Sequence, residues 1–437
     1  MLIPLPFIVL VLFLVLFLVL NAPIFVALGL SSVVLAFLFT DTPLNILSGQ
    51  FYSNLASFPL MAVPFFLLAS GIMEHSTISR KIVNMADAVV GSFRGGLAIT
   101  GLVACAMFAS ISGSSLATVA TIGNIVIPKM LEKGYDKRLA IGSIVAGGTL
   151  GIIIPPSVPL IIYGTVTGTS VVKLFLAGIV PGLIIVAALL IAIIIFANKG
   201  WDPGEKRTFT FQQRGKMLRD GVWTLIIPFV IFVGIYGVPG FVSAIFTPTE
   251  ASMVTILTCL VVAGVIYRDF RYRDIPRVVA KSAPNIGMIL MIVGSALLFS
   301  FELNNERIPQ MLANYLVSID LSPIVFLLMV NLTLLVAGVL MDATPIILIF
   351  MPVLFPSAVA LGIDPIHFGI LTVVNLEIGC ITPPVGVNLF MASAITKQSM
   401  LEVIRSAIPW VFILLLILLL VTYVPAITLF LPNLMGN

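Results

Sequence analysis

Apolar residues fill this chain in long blocks, and polar positions gather in short interruptions. About 20 residues of α-helix cross the hydrocarbon layer of a membrane. The blocks 2–20, 23–40, 57–75, 138–170, 172–197, 222–238, 243–266, 283–302, 364–396 and 408–432 each predict such a span. Asn21, Ala22 and Pro23 separate the first two. Two other blocks, 93–131 and 322–361, are too long for one span. Two stretches keep a different period. Ile78, Ile82, Met85/Ala86 and Val89/Val90 recur every three to four residues, as do Ile308, Met311/Leu312, Tyr315/Leu316 and Ile319. Each forms one apolar helical face and predicts a helix lying along the membrane interface, over 77–91 and 304–319.

Composition sharpens the picture. Of 437 residues, 60% are apolar and 9% charged, against about 25% charged in ordinary globular chains. Mean hydropathy is +1.21. A soluble fold of this size is excluded, and the bilayer is the main solvent. The net charge of +4 is small and sits in a few loops, so it reads as membrane orientation and not as a nucleic-acid surface. Cys105, Cys259 and Cys380 lie in apolar runs, without disulfide or metal-ligand spacing. The first block has no positive region before it and no small-residue cleavage site, so it reads as a span and not as a signal peptide.

Lys and Arg set the orientation. The loop 198–220 holds Lys199, Lys206, Arg207, Arg214, Lys216 and Arg219, and 267–281 holds Arg268, Arg271, Arg273, Arg277 and Lys281. Two spans separate them, so both face the cytoplasm and both termini face outward. Arg80, Lys81, Lys129, Lys133, Lys137 and Arg138 share that side only if 93–131 enters and leaves by one face. Parity therefore predicts a re-entrant hairpin at 93–131. A second one, without Lys or Arg, enters from the opposite face at 322–361.

Shifting the chain by 228 residues aligns its halves without a gap. Pro128, Gly134, Asp136, Val145, Gly151, Ile153, Pro155 and Pro156 meet Pro356, Gly362, Asp364, Val373, Gly379, Ile381, Pro383 and Pro384. Each half runs span, interfacial helix, re-entrant hairpin, span broken by Pro-Pro. The predicted fold is an all-α polytopic membrane protein with an inverted repeat. Discontinuous helices meeting at mid-membrane are the architecture of secondary transporters.

The first hairpin turns at Ile111-Ser112-Gly113-Ser114-Ser115 and the second at Met341-Asp342-Ala343-Thr344-Pro345. Proline lacks an N–H and clashes with the preceding turn, so each Pro-Pro break frees backbone carbonyls. Gly147, Gly148, Thr149 and Ser157 lie near the first break, and Asn375, Glu377, Thr382 and Asn388 near the second. Carbonyls, hydroxyls and a carboxylate suit a hard cation such as sodium, and helix N-termini at the tips suit an anion. Helix packing by small and polar residues is the competing explanation. Asp342 speaks against it, because an acid deep in a membrane is costly unless paired or ion-bound. Glu377 is similar, or pairs with a basic group. Glu74, His75 and Glu302 sit at span ends and are expected to be solvated. An enzyme is disfavoured: HExxH is absent, and the two histidines, His75 and His367, lie near predicted interfaces. A passive channel would differ from a carrier in showing no sodium-driven uphill uptake.

The run SGSSLATVATIGNIVIPKMLEKGYDKRLAIGSIVAGGTLGIIIPPSVPLIIYG resembles the large membrane subunit of TRAP (tripartite ATP-independent periplasmic) transporters, as do MDATPIILIFMPVLFP and IGCITPPVGVNLF. The resemblance covers essentially the whole chain. It implies an elevator-type carrier in the bacterial inner membrane, driven by co-transported sodium and importing carboxylate-bearing organic acids of the sialic acid or C4-dicarboxylate type. It also implies two partners, a small four-span membrane subunit, expected here as a separate chain, and a periplasmic substrate-binding protein. One sodium site would use Ser112, Gly113 and Ser115 with Gly151, Pro155 and Ser157. The other would use Asp342 and Thr344 with Gly379, Thr382 and Pro383. The substrate would lie between the tips, on Ser114, Ser115, Ser157, Thr344 and Asn388. Neither tip holds Lys or Arg, so hydroxyls and backbone N–H groups would recognise the carboxylate.

The expected parts are scaffold helices at 1–75 and an arm at 76–91, then a first transport repeat at 92–170 with its broken helix at 138–170. Connecting and scaffold helices occupy 171–303. A second arm spans 304–319. The second repeat covers 320–397, with its broken helix at 364–396, and a C-terminal helix takes 398–437.

Overall fold

The computed structural model describes residues 5–40, 42–204, 208–237 and 243–435. Residues 2–4 of the first expected span, Lys206, Arg207, Val238 and the ends 1–4 and 436–437 lie outside these. Every regular element among the described residues is helical. This is the expected consequence of a solvent that cannot satisfy backbone N–H and C=O groups. The helices are α1 (Leu5–Val19), α2 (Ile24–Leu35), α3 (Leu44–Leu55), α4 (Ala62–His75), α5 (Ile78–Val90), α6 (Gly96–Ser112) and α7 (Ser115–Glu132). Then come α8 (Lys137–Gly148), α9 (Val158–Thr167), α10 (Val171–Phe196), α11 (Phe211–Gly221), α12 (Ile226–Tyr236), α13 (Pro248–Leu260) and α14 (Ile275–Asn305). The chain continues through α15 (Ile308–Ser318), α16 (Pro323–Leu340), α17 (Ala343–Ala360), α18 (Pro365–Gly379), α19 (Val387–Thr396), α20 (Met400–Tyr423) and α21 (Ala426–Met435). Among the described residues, eight helical rods are long and apolar enough to cross a membrane.

The 228-residue repeat has a physical cause at its paired glycines and aspartates. Gly134 and Gly362 end α7 and α17 in the left-handed region, at φ 80° and 78°. The next N–H groups, of Tyr135 and Ile363, reach back to Met130 O and Ala358 O, both at 3.0 Å, closing the last turn. Asp136 and Asp364 then cap α8 and α18, accepting from the N–H groups of Arg138 and Ile366 at 2.8 Å each. The Arg138 guanidinium also holds the Asp136 carboxyl below the usual carboxylate range. Pro155-Pro156 and Pro383-Pro384 are both cis. The repeats also pack reciprocally: α9 lies against hairpin 2 at α17, and α19 against hairpin 1 at α7.

All the basic segments meet at one end of the molecule, as parity requires. Lys81 pairs with Asp220 at 3.0 Å, Lys137 with Glu402 at 2.9 Å and Lys281 with Glu74 at 3.9 Å. Asp269 accepts from Thr77 N–H at 2.6 Å. Such exposed pairs add little stability, but they fix which loops share a face.

Several expectations are corrected. The stretch 44–55, left without an element, is helix α3. Leu44, Leu47, Phe51 and Leu55 form its apolar stripe, and Phe51 and Leu55 lie against Gly294 of α14. The polar loop 198–220 contains α11, started by a capping box between Thr210 and Gln213. Half of 267–281 is already helix, because α14 starts at Ile275. The span 408–432 begins at Met400 and is cut at Pro425, which has no N–H to continue the ladder. Val89, Tyr315 and Ile319 point outward, while Ile78, Ile82, Ala86 and Leu316 carry the burial of the interfacial helices. Glu302, expected to be solvated, is fully buried.

Two packed groups emerge. In one, α14 packs on α2, α3 and α4, and α13 on α4 and α12. In the other, α10 and α20 pack along the broken helices, with Trp410 Nε1 donating to Arg138 O at 3.0 Å. In the second group α16 and α18 cross at Gly338 and Gly379. A Cβ on Gly379 would stand 2.6 Å from Gly338 Cα. Replacing Gly379 with Val is expected to force this crossing apart at about 1–3 kcal/mol. The thermal unfolding midpoint of the purified protein should fall, and an unchanged midpoint would contradict the crossing.

Candidate functional site

Each hairpin tip fits into a proline break. In tip 1, Gly113 takes φ 61° and closes α6, and Ser114 caps α7 by accepting from Ala117 N–H at 3.4 Å. The Val158 N–H, just past the first break, donates to Gly113 O at 3.3 Å. Gly151 comes so close that a Cβ there would lie 2.6 Å from Ser114 O. Ser112, Gly113, Gly151, Pro155 and Ser157 are thus brought together, all buried. Ser157 caps α9 by accepting from Leu160 N–H at 3.3 Å.

Tip 2 repeats the arrangement with different chemistry. The Gly386 N–H donates to Val339 O at 3.2 Å, from the position 228 residues after Val158. Asp342 caps the N-terminus of α17 and Thr344 is its second residue, and Gly379, Thr382 and Pro383 line the break. The Thr382 hydroxyl donates to Ile378 O at 2.6 Å. At tip 2 Asp342 and Pro384 reach the protein surface, while Ala343, Thr344 and Gly379 beside them are buried.

Beside the breaks, Glu377 on α18, just before the second one, is a fully buried acid. The Ser115 hydroxyl, at the start of α7, donates to Glu377 Oε1. Asn388 Nδ2, on α19, donates to Ser115 Oγ at 2.5 Å and to Glu377 Oε1 at 3.3 Å. Three residues from both repeats therefore form one lock. Among the described residues no ion pair includes Glu377, so the alternative of a basic partner finds no support.

Two cavities approach tip 1. One, of about 310 Å³, runs from the basic face past Glu74, His75, Lys281 and Asn285 to Ser114 and Met391. The other, of about 590 Å³, is rich in hydroxyls, among them Ser53, Thr165, Thr169 and Thr249, and ends at Ile161, one turn beyond Ser157.

Comparison with known proteins gives a family. Residues 10–427 match the description "Tripartite ATP-independent periplasmic transporter, DctM component". The chain belongs to this family. It is similar to the C4-dicarboxylate TRAP transporter large permease protein DctM of Pseudomonas aeruginosa, 43% identical over 94% of each chain. The isethionate TRAP transporter permease protein DctMQ of Oleidesulfovibrio alaskensis is 36% identical over 95% of this chain and 64% of its own. A solved structure, the Alcanivorax borkumensis YdaH transporter, matches in fold with TM-score 0.65 and 14% identity, over 96% of this chain and 98% of that one. The protein is therefore a large permease subunit and not an enzyme, a multi-pass protein of the bacterial inner membrane.

Within this TRAP permease, the candidate residues fall into three clusters. Ser112, Gly113, Gly151, Pro155 and Ser157 lie at the first junction. Asp342, Thr344, Gly379, Thr382 and Pro383 lie at the second. Ser115 and Asn388 bridge the repeats, and Ser114 lines the cavity from the basic face. Glu377 is a sequence candidate near the second break that the resemblance places in neither sodium site nor the substrate site. What could not be seen is that Ser115 arrives from 262 residues away. Asn388→Ala is expected to remove one donor from a buried carboxyl group. The cost is about 1–3 kcal/mol, read as a lower unfolding midpoint. An unchanged midpoint would show that Asn388 does not hold the lock.

Proposed function

We propose that this permease imports a C4-dicarboxylate-class organic acid, driven by sodium, through an elevator movement of its two repeats. The observation that carries this reading is the seating of two oxygen-rich hairpin tips in two proline breaks related by one inverted repeat. Hydroxyls, carbonyls and Asp342 are hard oxygen donors of the kind that replace a small cation's hydration shell. The two junctions, Ser112 to Ser115 with Gly151 to Ser157 and Asp342 to Thr344 with Gly379 to Pro383, would each hold one sodium ion as cargo. The substrate would bind between them, on Ser114, Ser115, Ser157, Thr344 and Asn388. The substrate class is supported by the relative named for C4-dicarboxylates. In keeping with the family's tripartite description, a small four-span membrane subunit and a periplasmic binding protein complete the transporter.

The two packed groups of helices would be the scaffold and the moving part. The interfacial helices α5 and α15 would brace one against the other. Support comes from α5, which is held by α11 through Lys81–Asp220 and through Gly221, where a Cβ would stand 2.6 Å from Met85 Cβ.

The test is uptake by liposomes holding the permease, its small subunit and binding protein, under an imposed sodium gradient. Succinate accumulation against its gradient is expected, with sialic acid as the comparison substrate. Uptake of neither, or uptake indifferent to sodium, defeats the reading. Asp342→Asn keeps the side-chain size and removes the charge. It is expected to cut sodium-driven uptake at least about tenfold, or 1.4 kcal/mol, while binding-protein docking survives. Full uptake with unchanged sodium dependence would make Asp342 a packing residue.

Orientation is tested separately. Gly215 has open space around it, so Gly215→Cys gives a harmless reporter in a background lacking the other cysteines. A membrane-impermeant maleimide should label it only after the inner membrane is opened. Labelling in intact spheroplasts would reverse the proposed topology.

A further inference from the structure

We propose that Lys281, with Ser70, Ser282 and Asn285, forms a second carboxylate site, which takes one end of a dicarboxylate as it leaves tip 1 toward the basic face. This rests on the transporter reading above and deepens it, naming a cation where the two tips have none. The site is the cavity of about 310 Å³ that runs from the basic face to Ser114. Among its described lining residues Lys281 is the one Lys or Arg, and Glu74 is the one acid. The polar side chains come from α4 and α14, whereas hairpin 1 and α19 add apolar ones apart from Ser114.

The packing of α4 on α14 builds this polar wall. The two helices approach so closely that a Cβ on Gly71 would stand 2.6 Å from Ser282 Oγ. Ser70, the neighbour of Gly71, is only 3% exposed. Its hydroxyl lines the cavity and has no hydrogen-bond partner among the described residues. A buried hydroxyl without a partner is costly, and a ligand oxygen entering the cavity would remove that cost. His75 is already engaged, its Nδ1 donating to Gly71 O at 3.1 Å. Lys281 is held loosely. Its side chain is 64% exposed, and its Nζ stands 3.9 Å from Glu74 Oε2, beyond direct hydrogen-bond reach.

The chemistry follows from charge. Tips without Lys or Arg offer a carboxylate only neutral donors of their own, and a dicarboxylate brings two charges. Lysine carries three donors on a flexible stem, and a charge-assisted hydrogen bond is about twice as strong as a neutral one. Lys281 therefore draws the outer carboxylate from the tip, while Ser70, Ser282 and Asn285 supply neutral donors around it. Glu74 limits the hold. It is a carboxylate already beside Lys281, so it competes with the ligand and displaces it toward the basic face. The polar wall stays with α4 and α14, so it meets the substrate only when hairpin 1 stands against them as it does here. It is a release site, separate from the one between the tips.

The experiment measures calorimetric binding of succinate and of monomethyl succinate to the permease with its small subunit in nanodiscs, at fixed sodium. Lys281→Gln is expected to weaken succinate by about tenfold, and the monoester, which lacks the second charge, by less than about twofold. Lys281→Arg should return succinate to within about twofold of wild type. Glu74→Gln removes the competitor and should tighten succinate by about threefold. Ser70→Ala should weaken succinate by about threefold, while the unliganded unfolding midpoint holds or rises because an orphaned hydroxyl is gone. Unchanged succinate affinity in Lys281→Gln overturns the site and leaves the transport reading standing. So does equal weakening by Glu74→Gln and Lys281→Gln, since a purely structural ion pair is lost alike from either side. Equal loss of succinate and the monoester also sinks it. If Lys281→Gln does not fold, Glu74→Gln decides, and an affinity that fails to tighten ends the proposal. A wild type that binds neither compound defeats the substrate reading, and this site with it.

Discussion

A backbone polar group inside hydrocarbon must find its partner within the protein, and this constraint organises the permease. Breaking two spans at Pro155-Pro156 and Pro383-Pro384 interrupts the helical ladder where water is scarce. The protein answers with chain from elsewhere. Tip 1 brings Gly113 O to the Val158 N–H, and hairpin 2 brings Val339 O to the Gly386 N–H. Each break is thus completed by a hairpin of its own repeat. Glycine at 151 and 379 is what lets the backbones come that near. The hairpins and the breaks are one device, and neither would be stable at that depth without the other.

That device was legible in the sequence because it depends on residues with no substitute. A Pro-Pro pair in mid-span, a glycine in the left-handed region and an aspartate capping a helix each leave a mark readable at a single position. The 228-residue register could therefore be found without any contact being known. Elements that depend on partners were harder to see. Helix α3 has a clear apolar stripe, Leu44, Leu47, Phe51 and Leu55, but it is too short and polar to be a span. Its helicity comes from packing on α14. The basic stretch before α12 looked like a loop because charge dominates it, yet α11 uses those charges on one side and rests on α5 with the other. Glu302 looked solvated from its place near a span end, whereas the surrounding helices bury it.

A second polar spine stands behind the repeats. Asn375 Nδ2 donates to Asn331 O at 3.0 Å and to its Oδ1 at 2.8 Å, and Asn331 Nδ2 reaches Thr422 Oγ1 at 3.0 Å. His367 continues it, with Thr422 O at 3.1 Å and Thr428 Oγ1 at 2.8 Å from its ring nitrogens. These bonds tie α16 and α18 to α20 and α21 across the Pro425 break. Hydrogen bonds between membrane helices contribute modestly to stability, averaging about 0.6 kcal/mol. Their value here is directional. They fix the rotation of α18, and hence the direction in which Glu377 projects, two residues after Asn375.

The inverted repeat duplicates the framework without duplicating its chemistry. Residue 114 and residue 342 occupy the same place, the N-terminal cap of the second hairpin helix, and one is Ser while the other is Asp. The neutral tip is sealed, with Ser112 and Ser115 buried. In the charged tip Asp342 is exposed, with Ala343 and Thr344 buried beside it. A carboxyl group already buried at the second break can accept a hydroxyl from tip 1, but a second acid at position 114 would set two like charges against each other in a medium that screens them poorly. Symmetry of fold requires the two tips to seat alike, and electrostatics requires them to differ. The chain meets both conditions by keeping glycine, proline and the caps in register while exchanging one hydroxyl for one carboxylate.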